Sequence, residues 1–126
     1  MRKSAGIIIQ AKDRLNGHQT ITRRINEMQI SVYEENGLNV VAPSGKIDHV
    51  TVAEFDGQIT KLMQKSSKLL LDMKDVEYVS SAALRSILNA NDQLTENGGS
   101  FTIRNVNNKV MEIFNITGFA DYLDIV

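Results

Sequence analysis

Residues Lys68–Leu88 read KLLLDMKDVEYVSSAALRSIL, a buried strand running into two adjacent serines at a helix start. Leu69, Leu70 and Leu71 make the short apolar run that a strand covered on both faces requires. Asp72–Val79 reads as a connecting loop. Beyond it Leu84, Ile87, Leu88 and Leu94 recur at helical spacing, so Ser80 or Ser81 stands where an N-cap belongs. A hydroxyl there lies at the top of a strand and close to solvent.

Working outward, Gln29–Glu34 alternates as a half-buried strand, Asn36-Gly37 is a hairpin turn, and Leu38–Ala42 returns as the partner strand. Val52, Phe55, Ile59, Leu62 and Met63 share one helical face, predicting an amphipathic helix over Thr51–Gln64. The helix from Ser81 to Glu96 is stopped by Asn97-Gly98-Gly99. Phe101 and Ile103 mark a further strand; Val106, Val110, Ile113 and Phe114 pattern a third helix; Leu123–Val126 reads as a last strand. The order β-β-α-β-α-β-α-β predicts an α/β fold: a mixed, mostly parallel sheet with an antiparallel N-terminal hairpin and helices packed on it. Its central strand is Lys68–Asp72. The expected core contains Val40, Phe55, Ile59, Leu69, Leu71, Leu84, Leu88, Ile103, Val110 and Phe114.

The Lys68–Leu88 block resembles the signature of the STAS domain, the family of bacterial anti-sigma factor antagonists. The family pattern runs from an apolar strand and Asp through a short loop to Asp/Ser-Ser-Ser/Ala-Gly-Leu at a helix start. Here it is Leu69–Asp72, then Tyr78, Val79, Ser80, Ser81, Ala82, Ala83 and Leu84. Two further blocks fit in order: LNVVAPSGKID at Leu38–Asp48, similar to the second strand and its Gly-x-x-Asp turn, and NITGFAD at Asn115–Asp121, similar to the turn before the last strand. The chain departs from the pattern at Ser80, where sporulation-type antagonists often carry Asp, and at Ala83, where the family has Gly.

The resemblance implies a STAS domain over residues 28–126 with no catalytic, metal or cofactor role. The family's phosphorylated serine falls on Ser81, with Ser80 as a second choice, and the family aspartate that influences recognition by the kinase falls on Asp48. The implied partner is an anti-sigma factor with serine kinase activity, contacted through Asp48, Ser80, Ser81, Arg85 and Asn89; a PP2C-type phosphatase would reset the switch. STAS domains also serve as subunits of lipid-transport ABC systems and as scaffolds in stress-signalling assemblies, which gives the alternative expectation.

Composition agrees with one globular domain. The chain has 126 residues, 42% of them hydrophobic, and 15 acidic against 14 basic groups. No basic excess exists to bind nucleic acid. The absence of cysteine removes disulfides and thiolate chemistry. The longest N-terminal apolar run, Ala5–Ile9, is too short for a signal core or a membrane span, so no membrane insertion and a cytoplasmic location are the expectation. Residues 1–27 read as an N-terminal extension of uncertain order: Gly6–Ile9 has the makings of one short strand, while Gln10–Glu27 is polar without a persistent apolar face.

Other chemistries find little support. A hydrolase using Ser81 with His49 lacks the Gly-x-Ser-x-Gly elbow, no glycine-rich loop opens a helix for a nucleotide, and Asp48, Asp72 and Asp75 match no cation loop and read as solvated turn residues.

Overall fold

The computed structural model describes residues 7–9, 21–25 and 28–126. The hairpin is built from β3 (Met28–Glu35) and β4 (Leu38–Ile47), after two short strands, β1 (Ile7–Ile9) and β2 (Ile21–Ile25). Asn36 and Gly37 both take positive φ, 52° and 83°, as a two-residue turn between right-twisted strands requires. β2 pairs antiparallel with β3, and β1 with β2. The short strand expected at Gly6–Ile9 is present at Ile7–Ile9, and Gly6 lies outside the described residues. The strand at Ile21–Ile25 was not expected; its isoleucines and Thr22 favour extended backbone despite Arg23 and Arg24.

β4 is twice the length anticipated because it serves two successive neighbours on one edge. Its first half pairs in parallel with β5 (Lys68–Asp72) through Asn39, Val40 and Val41. Its second half pairs in parallel with β6 (Asp75–Val79) through Ser44–Ile47. Pro43 lies between the two stretches, where its missing N–H costs neither ladder a bond.

β6 replaces the loop read from the sequence. Its ladder goes from Gly45↔Val76 directly to Lys46↔Tyr78, leaving Glu77 as an extra residue. This bulge turns Val76 and Val79 both inward at a spacing of three, and so hides the strand's alternation.

α1 (Val52–Met63), α2 (Ser81–Glu96), α3 (Asn108–Thr117) and the short α4 (Phe119–Tyr122) alternate with β7 (Ser100–Arg104) and β8 (Asp124–Ile125). The described strands run in the order β1-β2-β3-β4-β5-β7-β8, with β6 beside β4. β5 therefore lies inside the sheet, flanked in parallel by β4 and β7. At the foot of α2, Gly99 passes so close to the Ser67 carbonyl that a β-carbon would collide with it, and the Ser100 N–H bonds that same oxygen at 2.8 Å.

The core lies where the helices meet the sheet, with Phe55, Ile59, Leu69, Leu71, Ile87, Ile103, Val110 and Phe114 all buried. Leu88 differs from expectation: it is only partly buried and packs against this cluster from the edge of α2. Val40 and Leu70, paired in register, are buried outside the cluster, on the other face of the sheet. No helix among the described residues is long and apolar enough to cross a membrane.

Candidate functional site

The C-terminal ends of β4 and β6 deliver the chain to the starts of α1 and α2. Ser80 is the N-cap of α2: extended at φ −89° and ψ 174°, it accepts the Ala83 N–H on its hydroxyl at 3.2 Å and the Leu84 N–H on its carbonyl at 3.0 Å. Its own N–H donates to the Ile47 carbonyl at 2.9 Å. Ser81 is thus the first helical residue. It is exposed, and among the described residues its hydroxyl has no bonding partner.

Asp48 follows Ile47 and begins the turn into α1 in the same region. Its Oδ1 accepts the N–H groups of Val50 and Thr51 at 2.9 and 3.0 Å, while the Asp48 N–H donates to the Thr51 hydroxyl at 3.0 Å. These reciprocal Asp48–Thr51 bonds follow the pattern of a capping box in the turn that leads into α1, whose N-cap is Thr51. The Thr51 hydroxyl in turn donates to the Lys46 carbonyl at 2.8 Å. The Thr51 and Val50 N–H bonds hold the Asp48 carboxyl below the usual range, so it stays ionised.

An open groove of about 690 Å³ joins these parts. It is lined by Lys46, Asp48 and His49 at the end of β4, by Tyr78 and Ser80 at the end of β6, and by Lys109 and Ile113 of α3, with Lys46 and Tyr78 paired in register on neighbouring strands. Tyr78 is 48% exposed although it lies on a strand, and Val50 nearby in sequence is 54% exposed. α3 reaches the groove because the Asn107 amide donates to the Val76 carbonyl at 2.7 Å while its Oδ1 caps the Val110 N–H at 2.8 Å.

The five residues expected to contact a partner divide into two adjoining groups. Asp48 and Ser80 line the groove. Ser81, Arg85 and Asn89 are exposed and four residues apart, a row along the outside of α2. Sequence reasoning did not place Lys46, Tyr78, Lys109 or Ile113 at a site, although it read Tyr78 as part of the family pattern and Ile113 as part of a helical face. For Tyr78 its place just before the serine pair was a usable signal; Lys109 and Ile113 had none, since only the fold brings α3 to this end of the sheet.

Asp72 requires a correction. It is buried, not solvated, and is held by the Arg104 Nε at 3.1 Å, the Asn105 amide at 3.1 Å and the Lys74 N–H at 3.0 Å. Arg104 also grips Glu35 with two nitrogens, at 3.0 and 3.2 Å. Burial pushes the Asp72 carboxyl up, but the Asn105, Lys74 and Arg104 bonds outweigh it and hold the group below its ordinary range. The described residues contain no cluster of three or more His, Asp or Glu able to hold a metal ion.

A family model described as the STAS domain matches residues 29–126. The chain is 22% identical over 111 residues to an anti-sigma-B factor antagonist of Bacillus subtilis (strain 168), covering 88% of this chain and 92% of that protein. Its fold is similar to the crystal structure of an anti-sigma factor antagonist from Mycobacterium paratuberculosis, with a TM-score of 0.72 at 22% identity over 78% of this chain and 84% of that one. It is similar also to the Bacillus cell fate determinant SpoIIAA in its phosphorylated form, with a TM-score of 0.61 at 13% identity over 77% of this chain and 90% of that one.

Proposed function

This chain belongs to the STAS domain family, and from that premise we propose that it is a phosphorylation-controlled anti-sigma factor antagonist. Unmodified at Ser81, the protein binds an anti-sigma factor that has serine kinase activity and so frees the sigma factor held by it. The protein is cytoplasmic and acts by binding, not by catalysis. The relatives' names support the choice of partner.

One observation carries the choice of Ser81. Two serines stand side by side, and the hydroxyl of Ser80 is engaged in capping α2 while that of Ser81 is exposed and unbonded among the described residues. A kinase reaches the second without dismantling a helix cap. The docking surface is the row Ser81, Arg85, Asn89 together with the adjoining groove at Asp48 and Ser80. Phosphate adds about −1.5 to −2 charges to the middle of that surface at neutral pH, and an interface that closes over it must desolvate them.

The test is to incubate the purified protein with ATP and the anti-sigma factor kinases of its own cell, then locate phosphate by mass spectrometry. Phosphate on Ser81 of a protein that bound its kinase beforehand is expected. Failure to bind any such kinase, together with capture of a permease and its ATPase from the same cells, would favour the transport-subunit reading instead.

A further inference from the structure

We propose that Arg85 is a positioning residue for the phosphorylated state, in which its guanidinium clamps the phosphate carried by Ser81. The inference rests on the reading of Ser81 as the phosphoacceptor and adds how the modified state is held.

Two deficits at the start of α2 converge on the same place. The first turn of α2 contains no acidic residue, so nothing on the helix itself complements the positive end of its dipole. Among the described residues Arg85 has no carboxylate partner either. Its helical neighbours at three and four residues' distance are Ser81, Ala82, Leu88 and Asn89, and among the described residues it forms no ion pair. The other arginine within residues 28–126, Arg104, is bound to two carboxylates. One anion placed on Ser81 fills both vacancies.

The spacing suits the purpose. Residues four apart on a helix have side chains stacked on one face, with β-carbons about 5–6 Å apart, and both Ser81 and Arg85 are exposed. Phosphorylation forms the Oγ–P bond of Ser81 as the γ-phosphoryl group of a nucleoside triphosphate leaves the β-phosphate, and the hydroxyl proton passes to a base on the kinase. The three oxygens then accept from the planar guanidinium, a geometry that a lysine point charge does not reproduce. The clamp draws Arg85 out of the docking row, so modification blocks the surface and also withdraws one of its contacts.

The experiment is a phosphorus NMR pH titration of the full chain carrying phosphoserine at position 81, as wild type, Arg85→Lys and Arg85→Gln. All three keep the dipole of α2, so differences isolate the side chain at 85. The wild-type midpoint is expected about 0.3 units below that of Arg85→Gln, roughly a twofold change in the acid constant, with Arg85→Lys between them. Circular dichroism confirms that each variant is folded, as expected for an exposed position. Coincident midpoints for wild type and Arg85→Gln would overturn the clamp. No partner enters this titration, so that result would leave the binding switch standing, and a failed switch would leave the titration unaffected.

Discussion

The Ser80 N–H donates to the Ile47 carbonyl at 2.9 Å, fastening the start of α2 to the last residue of β4. Because Asp48 comes next and begins the turn into α1, this one bond sets that turn beside the Ser80 cap of α2. The position of Ser81 is consequently a property of the sheet, not of a loose loop.

Ser80 and Ser81 should respond differently to truncation. Ser80→Ala removes the cap of α2 and is expected to cost about 0.5–2 kcal/mol, whereas Ser81→Ala should lie within about 0.5 kcal/mol of wild type. Urea unfolding of the two variants measures this. Equal losses would mean that the cap is shared.

Leu71 is fully buried in the interior strand β5. Leu71→Ala should therefore cost about 2–5 kcal/mol. Leu88→Ala, at the edge of the core, should cost clearly less. A loss below about 1 kcal/mol at Leu71 would contradict the central placement of β5.

Thr51 tests the capping box. Its buried hydroxyl both donates to Lys46 and accepts from Asp48. Thr51→Val keeps the shape but strands these groups, with an expected loss of about 1–3 kcal/mol. Thr51→Ser should retain most of the stability, and similar losses for both variants would argue against the hydroxyl.

Acid should weaken the fold through Glu35, Asp48 and Asp72. The folded protein holds all three carboxyls below their ordinary values: Glu35 through Arg104, Asp48 through the N–H groups of Thr51 and Val50, and Asp72 against its burial through Asn105, Lys74 and Arg104. A depressed folded value means that the unfolded chain binds more protons in the acid range. Their contribution is thus present above the unfolded values near 4 and is lost as pH falls through the lower folded ones. Melting temperature measured from pH 7 to pH 2 should decline below about pH 4, and less steeply in Asp72→Asn, measured relative to its own neutral-pH value. An identical decline in that variant would remove Asp72 from the account.

The parts of the fold legible in the sequence were those written in local periodicity. Leu69–Leu71, the helical faces of α1 and α2, and Asn36-Gly37 each carry their own signal. β6 was not legible because the bulge at Glu77 spaces Val76 and Val79 by three, which breaks the two-residue period. Asp72 was misread because its partner Arg104 lies 32 residues away, a distance at which only the parallel β5–β7 ladder brings the two together. At the site, the resemblance drew attention to the serine pair and to Asp48. It could not say which serine caps the helix, since either spacing suits an N-cap and only the backbone at Ser80 decides.

The central claim is that an unmodified Ser81 permits docking and a phosphorylated one prevents it. The most direct measurement is titration of four forms, unmodified, Ser81→Ala, Ser81→Asp and phosphorylated, against the cognate anti-sigma factor. Unmodified protein and Ser81→Ala should bind alike, Ser81→Asp more weakly, and the phosphorylated form at least a hundredfold more weakly, a loss of about 2.8 kcal/mol. Equal affinities for all four forms would contradict the switch.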